Sequence, residues 1–196
     1  MKIYDISQEV FSCAVYPGDS APEKQTLYST EEGDLYNLTA FAMCAHNGTH
    51  IDAPFHFLSK GKTVEEMELT HFVGDCFVAR HQGDVTAQDA EIILDRACGA
   101  QRILIAGEAT VTAEAAEIFA GSSIKLLGNE GQTVGPEDAP MQVHLILLKQ
   151  EIALLEGIVL KDVPEGHYFL SAAPLNLGGA DGAPCRAYLI DWEKNG

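Results

Sequence analysis

Polar and apolar residues alternate with a period of two from Lys2 to Ile6, which predicts an opening β-strand, and Pro17-Gly18-Asp19 then marks a turn. Tyr36 to Cys44, Y-N-L-T-A-F-A-M-C, reads as a second strand. Asp75 to Arg80, Arg102 to Ala106 and Ser123 to Leu127 are short apolar runs between polar breakers, the pattern of buried strands. Between these runs Thr86 to Cys98 and Thr112 to Phe119 switch to helical spacing, each opened by a threonine able to cap the first turn. Glu65 to Leu69 reads as a short acidic turn, and Gly128 to Pro136 as a glycine-rich loop without the spacing of a phosphate cradle. Strand patterns return at Ile158 to Leu160, Tyr168 to Ala172 and Arg186 to Asp191. Alternating strands and helices, with no linker or repeat between them, predict an α/β protein with a mixed sheet and flanking helices.

Composition narrows the class. A chain of 196 residues with 46% hydrophobic content can build one sizeable core, so residues 1–196 are expected to form a single domain. Twenty-nine acidic against twelve basic residues leave a net charge of −17, which repels nucleic-acid phosphates and anionic membrane surfaces. No apolar run approaches the length of a membrane span, and M-K-I-Y-D-I-S lacks the apolar region of an export signal, so a soluble, unexported protein is expected. The five cysteines are odd in number and widely spaced, which fits reduced thiols in a cytoplasmic protein.

Chemistry concentrates in Ala45 to Phe57, A-H-N-G-T-H-I-D-A-P-F-H-F, where His46, His50, Asp52 and His56 stand close together. Imidazoles and a carboxylate are the donors that Zn²⁺ and Mn²⁺ take in preference to water. All four positions share parity and would face one side of an extended segment. Fully extended, however, His46 and His50 would lie about 13 Å apart, so the chain has to bend, and Asn47-Gly48 and Pro54 supply the bends. A second pair of candidates, His144 and Glu156, lies in a strongly apolar stretch. Glu156 is either exposed at a strand end beside Gly157 or buried and met by a cation or hydrogen-bond donors.

At these residues the sequence resembles the cyclase family of metal-dependent hydrolases, which includes bacterial kynurenine formamidases and isatin hydrolases. H-N-G-T-H-I-D-A-P-F-H-F resembles the family signature H-x-G-T-H-x-D-A-P-x-H-[FY]. Y-D-I-S at Tyr4 to Ser7, Y-P-G-D at Tyr16 to Asp19, and C-R-A-Y-L-I at Cys185 to Ile190 resemble its other motifs. The resemblance implies a swivelling β/β/α fold. It also implies that His46, His50 and Asp52 bind one metal ion, that Asp52, His144 and Glu156 hold a second in two-metal members, and that His56 is the catalytic acid/base. Tyr16 stands where formamidases usually carry Trp and is expected at the substrate.

The expected activity is metal-dependent hydrolysis of a small aromatic formamide such as N-formyl-L-kynurenine, with Zn²⁺ preferred and Mn²⁺ admitted. The alternatives are opening of a cyclic amide or lactone of the isatin kind, and a non-catalytic protein that the metal merely stabilises. The resemblance further implies a homodimer or homotetramer whose N-terminal segments close the neighbouring pocket.

Overall fold

The computed structural model describes residues 1–192. In chain order its first half comprises β1 (Lys2–Asp5), β2 (Glu23–Tyr28), β3 (Leu38–Ala42), β4 (His50–Asp52), β5 (Val73–Arg80), β6 (Gly83–Val85), α1 (Ala87–Ala97) and β7 (Arg102–Ala106). There follow β8 (Ala109–Val111), α2 (Ala113–Ala120), β9 (Leu126–Asn129), α3 (Met141–Leu148), β10 (Ala153–Glu156), β11 (Gly166–Ser171), β12 (Gly182–Pro184) and β13 (Tyr188–Asp191). Nine strands make one mixed sheet in the order β1-β13-β11-β5-β7-β9-β10-β4-β12. Its middle, β5-β7-β9-β10, is parallel, and antiparallel strands extend it on both sides.

The parallel strands are apolar on both faces because both faces are covered. On one face Phe77, Ile103, Ile105, Leu127 and Leu154 pack against Ala90, Ile93, Phe119, Val143 and Leu147 of the three helices. On the other, Val78, Leu104, Leu126 and Leu155 meet Ile51 and Ala183 from one end of the sheet and Leu170 and Leu189 from the other. The sheet therefore curls around this second cluster. Removing each such Leu, Ile or Phe side chain from water stabilises the fold by about 1.5–3 kcal/mol.

Local capping fixes the helix starts. Thr86 Oγ1 accepts the Asp89 N–H at 3.3 Å while Asp89 Oδ2 accepts the Thr86 N–H at 2.9 Å, and Thr112 Oγ1 accepts the Ala115 N–H at 3.2 Å.

The strand expected at Ile158 to Leu160 is not one. Gly157, at φ +65°, turns the chain out of β10, and the following residues are held singly: Val159 N–H donates to the Ile6 carbonyl and Leu160 N–H to Glu130 Oε1. The strand lies earlier, at Ala153–Glu156. Likewise β9 takes in Gly128 and Asn129, so the glycine-rich loop begins at Glu130. The segment expected as a strand from Tyr36 to Cys44 forms β3, which pairs only with β2 in a ribbon detached from the main sheet and largely exposed.

Candidate metal centre and active site

A turn brings the first ligands together. Cys44 N–H donates to Asn47 Oδ1 at 2.8 Å and Asn47 N–H donates back to the Cys44 carbonyl. Gly48 then adopts φ +65°, and a Cβ at this position would lie 2.9 Å from Cys13 Cβ, so both backbone and space call for glycine. The bend folds His46 back over β4 until its ring centroid is 5.0 Å from that of His50. After Asp52, one 3₁₀ turn at Pro54–His56 returns His56 to the same side, 4.0 Å from the His46 ring. The convergence that the sequence required is thus made by a turn, a three-residue strand and a second turn.

The partners arrive from α3 and β10. Glu156 stands opposite His50, and Leu154 opposite Asp52, in the antiparallel β10–β4 pair. His50 Nε2 lies 3.3 Å from Asp52 Oδ1 and 3.5 Å from Glu156 Oε2; His144 Nε2 lies 3.5 Å from Asp52 Oδ2 and 3.2 Å from Glu156 Oε1. Both rings are oriented by backbone: His50 Nδ1–H donates to the Gly48 carbonyl and His144 Nδ1–H to the Pro140 carbonyl, each at 2.9 Å, which leaves both Nε2 atoms facing the carboxylates. Glu156 is 2% exposed and also accepts the Val134 N–H, so of its two expected placements the buried one is found.

Electrostatics bind the cluster. Burial alone would depress the pKa of His50 and His144, but hydrogen bonds and charge from Asp52 and Glu156 outweigh it and push both up to about 10. Burial would raise the pKa of Asp52, yet hydrogen bonds from His144, His46 and His50 hold it well below the usual carboxylate range. Every ion-pair partner of these two buried carboxylates is a histidine; no lysine or arginine pairs with either among the described residues. Two buried acids whose charged partners are all imidazoles among the described residues match the donor set of a divalent cation, and the residues fit one. Ligand atoms of His46, Asp52 and His56 lie within 4.8 Å of one another, as do those of His50, Asp52 and Glu156. Asp52 belongs to both groups, as a bridging carboxylate would.

One participant was not read from the sequence. Asp181, just before β12, places Oδ2 2.8 Å from His46 Nε2 and 2.9 Å from His56 Nδ1. Its only signal was an acid within L-G-G-A-D-G-A-P, a composition that ordinarily marks a turn. Tyr16 lies outside the ligand groups; its hydroxyl donates to the Glu137 carbonyl at 2.9 Å and ties the N-terminal segment to the loop that precedes α3. Phe57 packs its ring 4.7 Å from His144 and 4.6 Å from His56, whereas Phe72 is 1% exposed and belongs to the core.

Comparison with known proteins finds relatives over nearly the full chain. Residues 4–135 match the Cyclase family, described as putative cyclase. The kynurenine formamidase of Erythrobacter litoralis (strain HTCC2594) is 33% identical over 202 residues, covering 96% of this chain and 93% of that protein. The kynurenine formamidase of Bacillus anthracis is 33% identical over 202 residues, with 96% and 97% covered. Among solved structures, a potential metal-dependent hydrolase with cyclase activity superposes with a TM-score of 0.81 at 29% identity, covering 96% of each chain. Isatin hydrolase A from Labrenzia aggregata shares the fold alone, with a TM-score of 0.83 at 18% identity over 96% of this chain and 93% of that one. Signature residues, ligand cluster and near full-length similarity together place the chain in the cyclase family of metal-dependent hydrolases.

Proposed function

We propose that the protein hydrolyses the amide bond of a small aromatic formamide, with N-formyl-L-kynurenine the first substrate to test, and releases formate and the free aromatic amine. The observation that carries the reading is the contrast between four sealed ligands and an accessible base. Asp52, His50, His144 and Glu156 are 1–3% exposed, while the His56 side chain is 28% exposed and turns Nε2 toward Asp52 Oδ2 at 4.0 Å. A site that only stabilised the fold would have no use for an open, titratable imidazole beside its ligands.

His46, His50, Asp52, His144 and Glu156 would hold one or two divalent ions, Zn²⁺ first and Mn²⁺ second. Such an ion supplies Lewis acidity that polarises a carbonyl and brings the pKa of water down toward about 7. His56 acts at Nε2, accepting the proton of the attacking water and handing it to the amine nitrogen as the C–N bond breaks. The Gly48 and Pro140 carbonyls accept from Nδ1 of His50 and His144 and keep each Nε2 aimed inward. Phe57 excludes water from one side of His144 and His56. Tyr16 contacts substrate from the N-terminal segment.

The ribbon of β2 and β3 exposes Leu27, Tyr28, Leu35, Tyr36 and Phe41, an apolar surface that supports assembly into a homodimer or homotetramer. All five cysteines are free thiols, which supports a cytoplasmic location, and no helix among the described residues is long and apolar enough to cross a membrane. The decisive experiment is turnover of N-formyl-L-kynurenine by metal-loaded protein before and after chelation, beside isatin and a lactone. Chelator-sensitive release of formate is expected; cleavage of the cyclic substrates alone would move the assignment to ring opening, and metal without turnover to a binding protein. Light scattering on the eluted protein tests the oligomer, and a monomer with full activity overturns it.

A further inference from the structure

His46 and His56 lie between the same two carboxylates but face them in opposite senses. His46 directs Nδ1 to Asp52 Oδ1 at 2.8 Å and Nε2 to Asp181 Oδ2 at 2.8 Å; His56 directs Nε2 toward Asp52 Oδ2 at 4.0 Å and Nδ1 to Asp181 Oδ2 at 2.9 Å. One oxygen of Asp181 therefore receives both rings, which stack at 4.0 Å between the two acids. The buried histidines have their free nitrogens selected by backbone carbonyls; for these two at the rim, Asp181 occupies that place.

The backbone holds Asp181 firmly. Its carbonyl accepts the Ala53 N–H at 2.9 Å, the preceding Ala180 carbonyl accepts the Val64 N–H at 2.9 Å, and the following Gly182 pairs with Asp52 itself. A Cβ on Gly182 would stand 2.5 Å from the Ile51 carbonyl oxygen and 2.7 Å from His46 Cε1, so only glycine lets β12 approach closely enough to deliver Asp181.

The geometry points to Asp181 as the positioning residue of this centre: its carboxylate holds the proton on His56 Nδ1, leaves Nε2 as the atom that exchanges protons with substrate and water, and commits His46 to bind through Nδ1. A carboxylate that accepts from the remote nitrogen of an imidazole fixes its tautomer and raises the basicity of the other nitrogen, and loss of such partners lowers metal affinity or activity roughly 10- to 100-fold. An asparagine in its place offers an N–H and favours the opposite tautomer.

The kinetic half of the inference rests on the hydrolase reading; the tautomer half does not. Two variants, Asp181→Asn and Asp181→Ala, test both. In metal-free protein, ¹⁵N spectra of the imidazoles at pH 8.5 should show His56 protonated on Nδ1 in the parent and shifted toward Nε2 in both variants. In metal-loaded protein, kcat should fall about 10- to 100-fold with KM nearly unchanged, and Asp181→Glu should recover part of the loss. An unaltered His56 tautomer in both variants overturns the inference whether or not any tested formamide is cleaved. If the parent turns over none of them, the nitrogen spectra still decide, and only the substrate assignment is lost.

Discussion

His50 and Glu156 are register partners across β4 and β10, and their side chains meet on the helix-covered side with Nε2 3.5 Å from Oε2. The pairing puts a buried acid beside a buried base at a position fixed by main-chain hydrogen bonds. The strand register therefore decides which two positions face each other, and the side chains there decide the chemistry. Asp52, two residues along β4, turns to the same side and meets four imidazoles.

Asp52→Asn should remove metal more completely than any other single substitution. An amide oxygen keeps the shape but loses the charge that serves both ligand groups. Metal content after dialysis, measured by mass spectrometry, should fall to background; full retention would sink the bridging assignment.

His56→Ala should separate binding from chemistry. The side chain sits at the rim, so metal content is expected to stay near that of the parent while turnover drops roughly 10²- to 10⁴-fold, the usual contribution of a general acid/base. Loss of metal together with activity would instead make His56 a ligand, in keeping with the proximity of its ring nitrogen to Asp52 and His46.

Stability should fall with rising pH in metal-free protein and lose that dependence once metal is bound. In metal-free protein the pKa of His50 and His144 is raised from an ordinary 6.5 to about 10, so their stabilisation is complete below about pH 6.5 and fades as pH rises through 10. The metal-free Tm should therefore decline from pH 6.5 to 10. A bound ion requires the same nitrogens unprotonated, so the metal-dependent gain in Tm should grow over that interval. Thermal melts in chelator and in excess metal check both trends, and a flat metal-free profile counts against the ion pairs.

Cys98 closes α1 in a left-handed conformation at φ 48°, ψ 39°, which glycine adopts without steric cost. Cys98→Gly should stabilise the protein by about 0.5–1 kcal/mol and leave activity unchanged, since the residue lies at the far end of α1. Urea unfolding measures the difference; a lower midpoint would show that the Cys98 thiol, which donates to the Asp95 carbonyl at 3.5 Å, outweighs the backbone cost.

The sequence disclosed those parts whose physics is local. Thr86 and Asp89 announce a capped helix within four residues, and Asn47-Gly48 announces the bend that the histidine spacing demands. Helix α3 gave no such sign: M-Q-V-H-L-I-L-L is apolar nearly all round, so no stripe marks its period, and His144 stood out only as a histidine in an apolar stretch, its ligand role coming from the likeness to the family. The strand ending in Glu156 was displaced because Ile158-Val159-Leu160 has strand composition, whereas the positive φ of Gly157 breaks the ladder before it. Asp181 remained hidden because its partners are 125 and 135 residues away and nothing near it in the chain hints at them.

Those separations set the order in which the centre can be assembled. His46, His50, Asp52 and His56 are synthesised within one short stretch, yet the carboxylate that orients two of them sits on β12, which can pair with β4 only after the intervening parallel strands have been made. A polypeptide emerging from the ribosome thus carries its histidines for more than half its length with His46 and His56 still free to present either nitrogen. Closure of β12 onto β4, a long-range pairing that has to wait for β12 to be synthesised, is the step that turns a collection of ligands into an oriented site.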